Sequence, residues 1–166
     1  MKLDQLAEQA GKALKHHAIT LVTAESCTGG WVAREITAIP GSSHWFDRGF
    51  ITYTNQSKQE MLGVQAVTLA EHGAVSEQTV REMAEGALQH SHAGVSIAIS
   101  GIAGPGGGSI EKPVGTVWLA WAGTGRSTRT QVEYCKGDRE QVRRQAVVTV
   151  LQGLLTYLDD DLDGKF

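Results

Sequence analysis

Three side chains have the types and surroundings that nucleophilic chemistry needs: Ser26, Tyr53 and Lys58. Ser26 stands in Thr23-Ala24-Glu25-Ser26-Cys27-Thr28-Gly29-Gly30, after a short apolar run (Ala18 to Val22) and before a helical pattern that starts near Trp31. A hydroxyl and a thiol are therefore expected where a strand turns into a helix. Ligands bind at that edge in open α/β sheets, and free N–H groups at a helix start favour anions. Tyr53 and Lys58 fall around the next strand-to-helix junction. Ser100 opens a glycine-rich loop at the end of a third strand. If these strand ends share one edge, the groups converge. The lysine amine can then remove the serine proton, the tyrosine hydroxyl can orient or relay it, and backbone N–H groups can hold an oxyanion.

The position of Lys58 bears on its protonation. Asn55 reads as the N-cap of a short helix ending at Gly63, which puts Lys58 in the first turn. A cation there opposes the helix dipole by roughly 0.3–1 kcal/mol. The side chain either turns out to water or points inward. If it points inward, dipole and desolvation both favour the neutral amine, which is a usable general base. Cys27 competes with Ser26 as nucleophile, but neighbours on a chain usually point apart, so at most one of the two faces a pocket. No histidine stands beside a comparable turn, which disfavours a Ser-His-Asp triad. His44, Asp47 and His72 lack metal-ligand spacing, so no metal ligands are assigned.

The elements that must position these groups follow from periodicity. Leu3, Leu6, Ala7, Ala10, Ala13 and Leu14 predict a first amphipathic helix. Ala18 to Thr23 reads as the first strand. Val32, Ala33, Ile36 and Ile39 predict a second helix, stopped by Pro40-Gly41. Phe50 to Tyr53 has strand composition. Ser76 caps a helix that buries Val80, Met83, Ala84, Ala87 and Leu88. Val95 to Ser100 is a strand that runs into Gly101-Ile102-Ala103-Gly104-Pro105-Gly106-Gly107-Gly108. Five glycines in that loop permit close backbone approach to a ligand, such as a phosphate, and equally suit a mobile hairpin. It matches neither a Walker motif nor a dinucleotide fingerprint. Val114 to Ala122 and Thr128 to Tyr134 predict an antiparallel hairpin. Asp138 with Gln141 resembles a capping box, opening a long final helix from Val142 to Leu158. Asp159 to Asp163 reads as a frayed acidic end. The pattern predicts one α/β domain over residues 1–166, a three-layer α/β/α sandwich with a mixed central sheet.

Bulk properties narrow the function classes. A net charge of −3 implies no basic face for nucleic acid, and no apolar run is long enough to span a membrane. The polar N-terminus reads as a helix start, not a signal peptide. Cys27 and Cys135 read as reduced thiols in a cytoplasmic protein.

Five motifs in fixed order carry a family resemblance. They are Thr23 to Gly30, Tyr53-Thr54-Asn55-Gln56-Ser57-Lys58, Gly73-Ala74-Val75-Ser76, Ser100 to Gly107, and Lys112-Pro113-Val114-Gly115-Thr116-Val117. Together they resemble the CinA C-terminal domain family in its stand-alone form, over roughly residues 5–155. The resemblance implies hydrolysis of the carboxamide of nicotinamide mononucleotide to nicotinate mononucleotide and ammonia, in pyridine-nucleotide recycling. It implies Ser26 as nucleophile, Lys58 as base and Tyr53 as assisting hydroxyl. It places Thr28, Gly29, Gly30, Asn55, Ser100, Gly101, Gly104 and Arg139 at a small-molecule nucleotide substrate. No cofactor is implied, and a homo-oligomer is. Longer members carry an N-terminal pyrophosphatase-type domain whose activity is not assigned to these residues. The motifs alone leave open a nucleotide-binding module of the same fold without the activity.

Overall fold

The apolar residues that recur every three to four positions near the start line the buried face of helix α1 (Leu3–His16), where Leu6, Ala7, Ala10 and Leu14 are shielded from water. The computed structural model describes residues 2–163. Five strands follow the expected alternation of elements: β1 (Leu21–Glu25), β2 (Phe46–Ile51), β3 (Val95–Gly101), β4 (Thr116–Gly123) and β5 (Arg126–Tyr134). They form one sheet in the order β2-β1-β3-β4-β5. β1 lies parallel to both β2 and β3, whereas β3, β4 and β5 pair antiparallel. The sheet is therefore mixed. The C-terminal ends of β1, β2 and β3 share one edge, the condition on which the chemistry depends.

Side-chain alternation divides the core into two layers. On β1, Leu21 packs with α1, with α2 (Trp31–Thr37) and with the long α6 (Arg139–Asp163). Val22 and Ala24 face the opposite cluster, which holds Leu62, Val80 and Met83. That second layer is built from α3 (Asn55–Leu62), α4 (Ala66–His72) and α5 (Glu77–Gln89). β1 and most of β3 are buried on both faces, so they read as continuous apolar and small-residue runs. The fold is a three-layer α/β/α sandwich with a mixed sheet.

Several boundaries differ from expectation for local reasons. Ala18 has a positive φ of 52°, so the first strand starts only at Leu21. β2 begins at Phe46 and ends at Ile51, which leaves Tyr53 beyond the strand. As an edge strand it tolerates Asp47 and Arg48, whose polarity hid it. Helix α2 stops at Thr37, ahead of Pro40. Helix α4 lacks a side-chain cap and was not expected. Thr54, not Asn55, caps α3. Its hydroxyl accepts from the Ser57 amide at 3.1 Å while the Ser57 hydroxyl accepts from the Thr54 amide at 3.0 Å. The acidic end is helical through Asp163, and Arg129 pairs with Asp160.

Candidate active site

Ser26 is fixed by extension of the sheet past β1. The Ser26 amide donates to Ile99 O at 3.0 Å, and the Thr52 amide donates to Glu25 O at 2.9 Å. The turn then closes with the Gly29 amide donating to Ser26 O at 3.0 Å, and Gly30, at φ 100°, leads into α2. The buried Glu25 carboxylate folds back on this turn. It accepts from the Thr28 hydroxyl at 2.7 Å and from the amides of Val32 and Ala33 at 2.9 and 3.1 Å. The first turn of α2 is thus satisfied by the chain's own anion. From the other side, Arg143 donates through Nε to Cys27 O at 3.0 Å and through Nη2 to Thr28 O at 3.2 Å.

Lys58 reaches the serine from α3. Its Nζ lies 3.0 Å from Ser26 Oγ and donates to Thr52 O at 2.7 Å. The residue is only 1 % exposed and has no carboxylate partner among the described residues. Burial pushes its pKa down to about 8, and the neighbouring Cys27 pulls slightly the other way. Part of the population is therefore a neutral amine near neutral pH, within hydrogen-bond distance of the serine hydroxyl. Burial has the opposite effect on Cys27 and pushes its thiol up to about 11. The Cys27 side chain belongs to the apolar core, so the thiolate a cysteine nucleophile needs is suppressed.

A cleft of about 170 Å³ opens above this pair; Ser26, Tyr53, Lys58, Ser100, Gly101 and Arg139 line it, together with Cys27, which is 6 % exposed, and with Ala74, Val75 and Ala103. Ser100 is buried at its wall and donates to Ala74 O at 2.8 Å. Arg139 spans the rim, donating to Gly104 O at 2.8 Å and to the Tyr53 hydroxyl at 2.9 Å. Tyr53 is 60 % exposed, and its hydroxyl is bonded to Arg139, with no hydrogen bond to Ser26 or Lys58.

Six of the sequence-predicted residues therefore meet at one cleft, and Gly104 joins them through Arg139. Four do not. The Thr28 hydroxyl is fully buried on Glu25. Gly29 and Gly30 border a separate cleft with Arg34 and Arg143. Asn55 is exposed at the start of α3, away from the cleft lining. The anion site expected at the α2 N-terminus is filled by Glu25. Among the described residues no group of three or more His, Cys, Asp or Glu side chains is placed to hold a metal ion.

Glu25, Thr52 and Arg143 were missed as site residues. Arg143 did leave a signal, since it follows Arg139 by four residues and so shares a helix face with it. Glu25 left a weaker one inside the serine motif. Thr52 acts through its carbonyl, which no side-chain pattern can reveal.

The CinA C-terminal domain model matches residues 3–158 of the sequence. The chain belongs to the CinA C-terminal domain family. Within it, the sequence is 58 % identical over 153 residues to the nicotinamide-nucleotide amidohydrolase PncC of Escherichia coli (strain K12), covering 92 % of this chain and 93 % of that one. It is 53 % identical to the protein of the same name from Enterobacter agglomerans, over 93 % and 94 % of the two chains. The crystal structure of the competence/damage inducible protein CihA from Agrobacterium tumefaciens superposes with a TM-score of 0.91 at 44 % identity, covering 95 % of each chain.

Proposed function

We propose that this CinA-family chain is a nicotinamide-nucleotide amidohydrolase that converts nicotinamide mononucleotide and water to nicotinate mononucleotide and ammonia, with Ser26 and Lys58 as its nucleophile and base. The observation that carries the reading is the buried contact of 3.0 Å between Lys58 Nζ and Ser26 Oγ. The names and high identity of the relatives from Escherichia coli and Enterobacter agglomerans support the substrate.

In this reading, Ser26 Oγ attacks the carboxamide carbon as neutral Lys58 takes its proton. The Ser26 amide is committed to Ile99 O, so the oxyanion falls to the amides of the Cys27–Thr28 segment. The Lys58 ammonium, steadied by Thr52 O, returns the proton to the departing nitrogen, and ammonia leaves. The resulting ester on Ser26 is cleaved by a water that Lys58 deprotonates, which regenerates the serine and releases the acid. Tyr53 and Arg139 close the rim over the ring. No step needs a cofactor. A single domain working in the cytoplasm as a homo-oligomer fits this role, and the exposed apolar side chains of Ile51, Ile110 and Tyr134 offer surface for assembly.

Ammonia release from nicotinamide mononucleotide tests the reading. Ser26→Ala abolishes it while the fold survives, and Cys27→Ala retains most of it. Wild-type protein that binds the nucleotide tightly but releases no ammonia is a binding module instead. Undiminished turnover by Ser26→Ala overturns the serine assignment.

A further inference from the structure

The cleft above Ser26 is too small for the whole substrate. At about 170 Å³ it falls below the roughly 300–1,000 Å³ of pockets that enclose complete small ligands. It holds the aromatic ring and its amide, so the ribose and phosphate must lie beyond it. The α2 N-terminus cannot receive the phosphate, because Glu25 already occupies its amides. A cavity of about 380 Å³ adjoins the ring cleft, with Val75 lining both. Two of the five ordered motifs that the serine chemistry does not use meet there, Gly73 to Ser76 and Lys112-Pro113.

Among the described residues, Lys112 is the only lysine or arginine lining this cavity. Its Nζ donates to His72 O at 2.6 Å and has no carboxylate partner among the described residues. That bond uses one of the three donors of an ammonium. A Cβ on Gly73 would sit 3.3 Å from the same Nζ, so the glycine leaves the ammonium room beside the chain. Gly73 lies two residues from Val75 and the ring cleft, at most about 7 Å of extended chain. Trp118, half-buried on β4, supplies an apolar wall. Two acids also line the cavity. Glu77 is committed to Arg81 at 3.1 Å and to Thr130 at 3.0 Å, and Glu71 is exposed near the His72 ring. The rival cleft beside Gly29 shares no lining residue with the ring cleft. Its arginines are already engaged, Arg34 with Glu35 and Arg143 with Cys27 O and Thr28 O.

From the Val75 wall that the two cavities share and the Lys112 ammonium in the larger one, we infer that Lys112 forms a phosphomonoester subsite, which takes the 5′-phosphate of the nucleotide whose ring lies over Ser26. This rests on the amidohydrolase reading and adds the position of the phosphate to it. The subsite makes the enzyme prefer the mononucleotide over its riboside.

The test compares nicotinamide mononucleotide with nicotinamide riboside, which lacks the phosphate, on wild type, Lys112→Gln and Lys112→Arg. Lys112→Gln raises KM for the mononucleotide about tenfold or more and leaves kcat within about threefold. Its kcat/KM for the riboside stays at the wild-type value, and Lys112→Arg recovers part of the loss. Equal losses on both substrates, or an unchanged KM for the mononucleotide, overturn the subsite. A readout without turnover separates this from failure of the activity itself. Ribose 5-phosphate is titrated calorimetrically into Ser26→Ala protein, with ribose and inorganic phosphate as controls. Binding of ribose 5-phosphate that Lys112→Gln removes supports the subsite even if no ammonia is ever released. Binding that is absent, or that survives the substitution, refutes it. Lys112 also holds the His72 carbonyl, so the melting temperature of each variant is recorded, and a misfolded Lys112→Gln leaves Lys112→Arg and the titration of Ser26→Ala protein with Lys112 intact to decide.

Discussion

At the scale of single residues, what distinguishes this site is the opposite effect of one environment on two groups. Burial lowers Lys58 to about 8 and raises Cys27 to about 11, because it disfavours the charged form of each. A base must be deprotonated to act, so in the proposed role Lys58 gains competence as pH rises. With a pKa of about 8, about one-tenth of the amine is neutral at pH 7 and about nine-tenths at pH 9. The expected kcat/KM therefore climbs through about pH 8 and levels off above it, while the Cys27 thiol stays mostly protonated. Initial rates of ammonia release across pH 6–10 check this, and a profile that falls between pH 7 and 9 contradicts a lysine base. Much of this was legible beforehand. Ser26, Tyr53 and Lys58 were visible by type and spacing, but the first-turn position of Lys58 argued for a neutral amine only if the side chain turned inward, and the sequence left that choice open. The Tyr53 contact with Arg139 was not legible, because it joins residues 86 apart in sequence, and neither residue carries a local signal for the other.

At the scale of elements, α6 matters as much as β1. Its first two turns present Arg139 to the rim and Arg143 to the nucleophile turn. The C=O and N–H of one peptide point in opposite directions, so the Arg143 grip on Cys27 O turns the Thr28 amide the other way. Arg143 is thus a positioning residue for the amides that would hold the oxyanion. Arg143→Lys keeps the charge but loses the two-pronged geometry. We expect kcat to fall about 10- to 100-fold, with KM changed less than about threefold, a smaller loss than the roughly 100- to 1,000-fold that follows removal of an oxyanion donor itself, because the amides remain and only their aim is disturbed. Steady-state kinetics check the split, and a rise in KM at constant kcat would assign Arg143 to substrate binding instead. The helix starts at Ser76 and Asp138 could be read from their cap residues, and both caps form. The start of α3 was misread by one position, since Thr54 and Asn55 are both good caps and only the reciprocal bond with Ser57 decides between them.

At the scale of the whole molecule, the Lys58–Ser26 distance depends on how closely the helices of one layer approach each other. Gly86 on α5 sits against the C-terminal end of α3, and a Cβ there would lie 1.9 Å from Leu62 O. Intrinsic propensity favours alanine over glycine in a helix by roughly 1 kcal/mol. Steric overlap with a backbone atom costs more, typically about 1–3 kcal/mol for overpacking. Gly86→Ala should therefore lower the melting temperature despite the better helix former, and it should shift α3 and weaken turnover through Lys58. Calorimetry together with the ammonia assay tests both halves. The layer order could be read from the alternation of elements, and the mixed sheet from the hairpin between β4 and β5. The edge position of β2 could not, because its exposed, charged residues give no alternating pattern.

The bonds from Arg139 and Arg143 have a consequence for how the protein is made. Ser26 leaves the ribosome early, and β1 can begin to pair with β2 and β3 as they follow. The guanidinium groups that hold Cys27 O, Thr28 O and Gly104 O arrive more than a hundred residues later. A nascent chain therefore carries Ser26 and Lys58 for about half of synthesis without the guanidinium contacts that hold the turn and the rim, and that frame is complete only when the last helix docks.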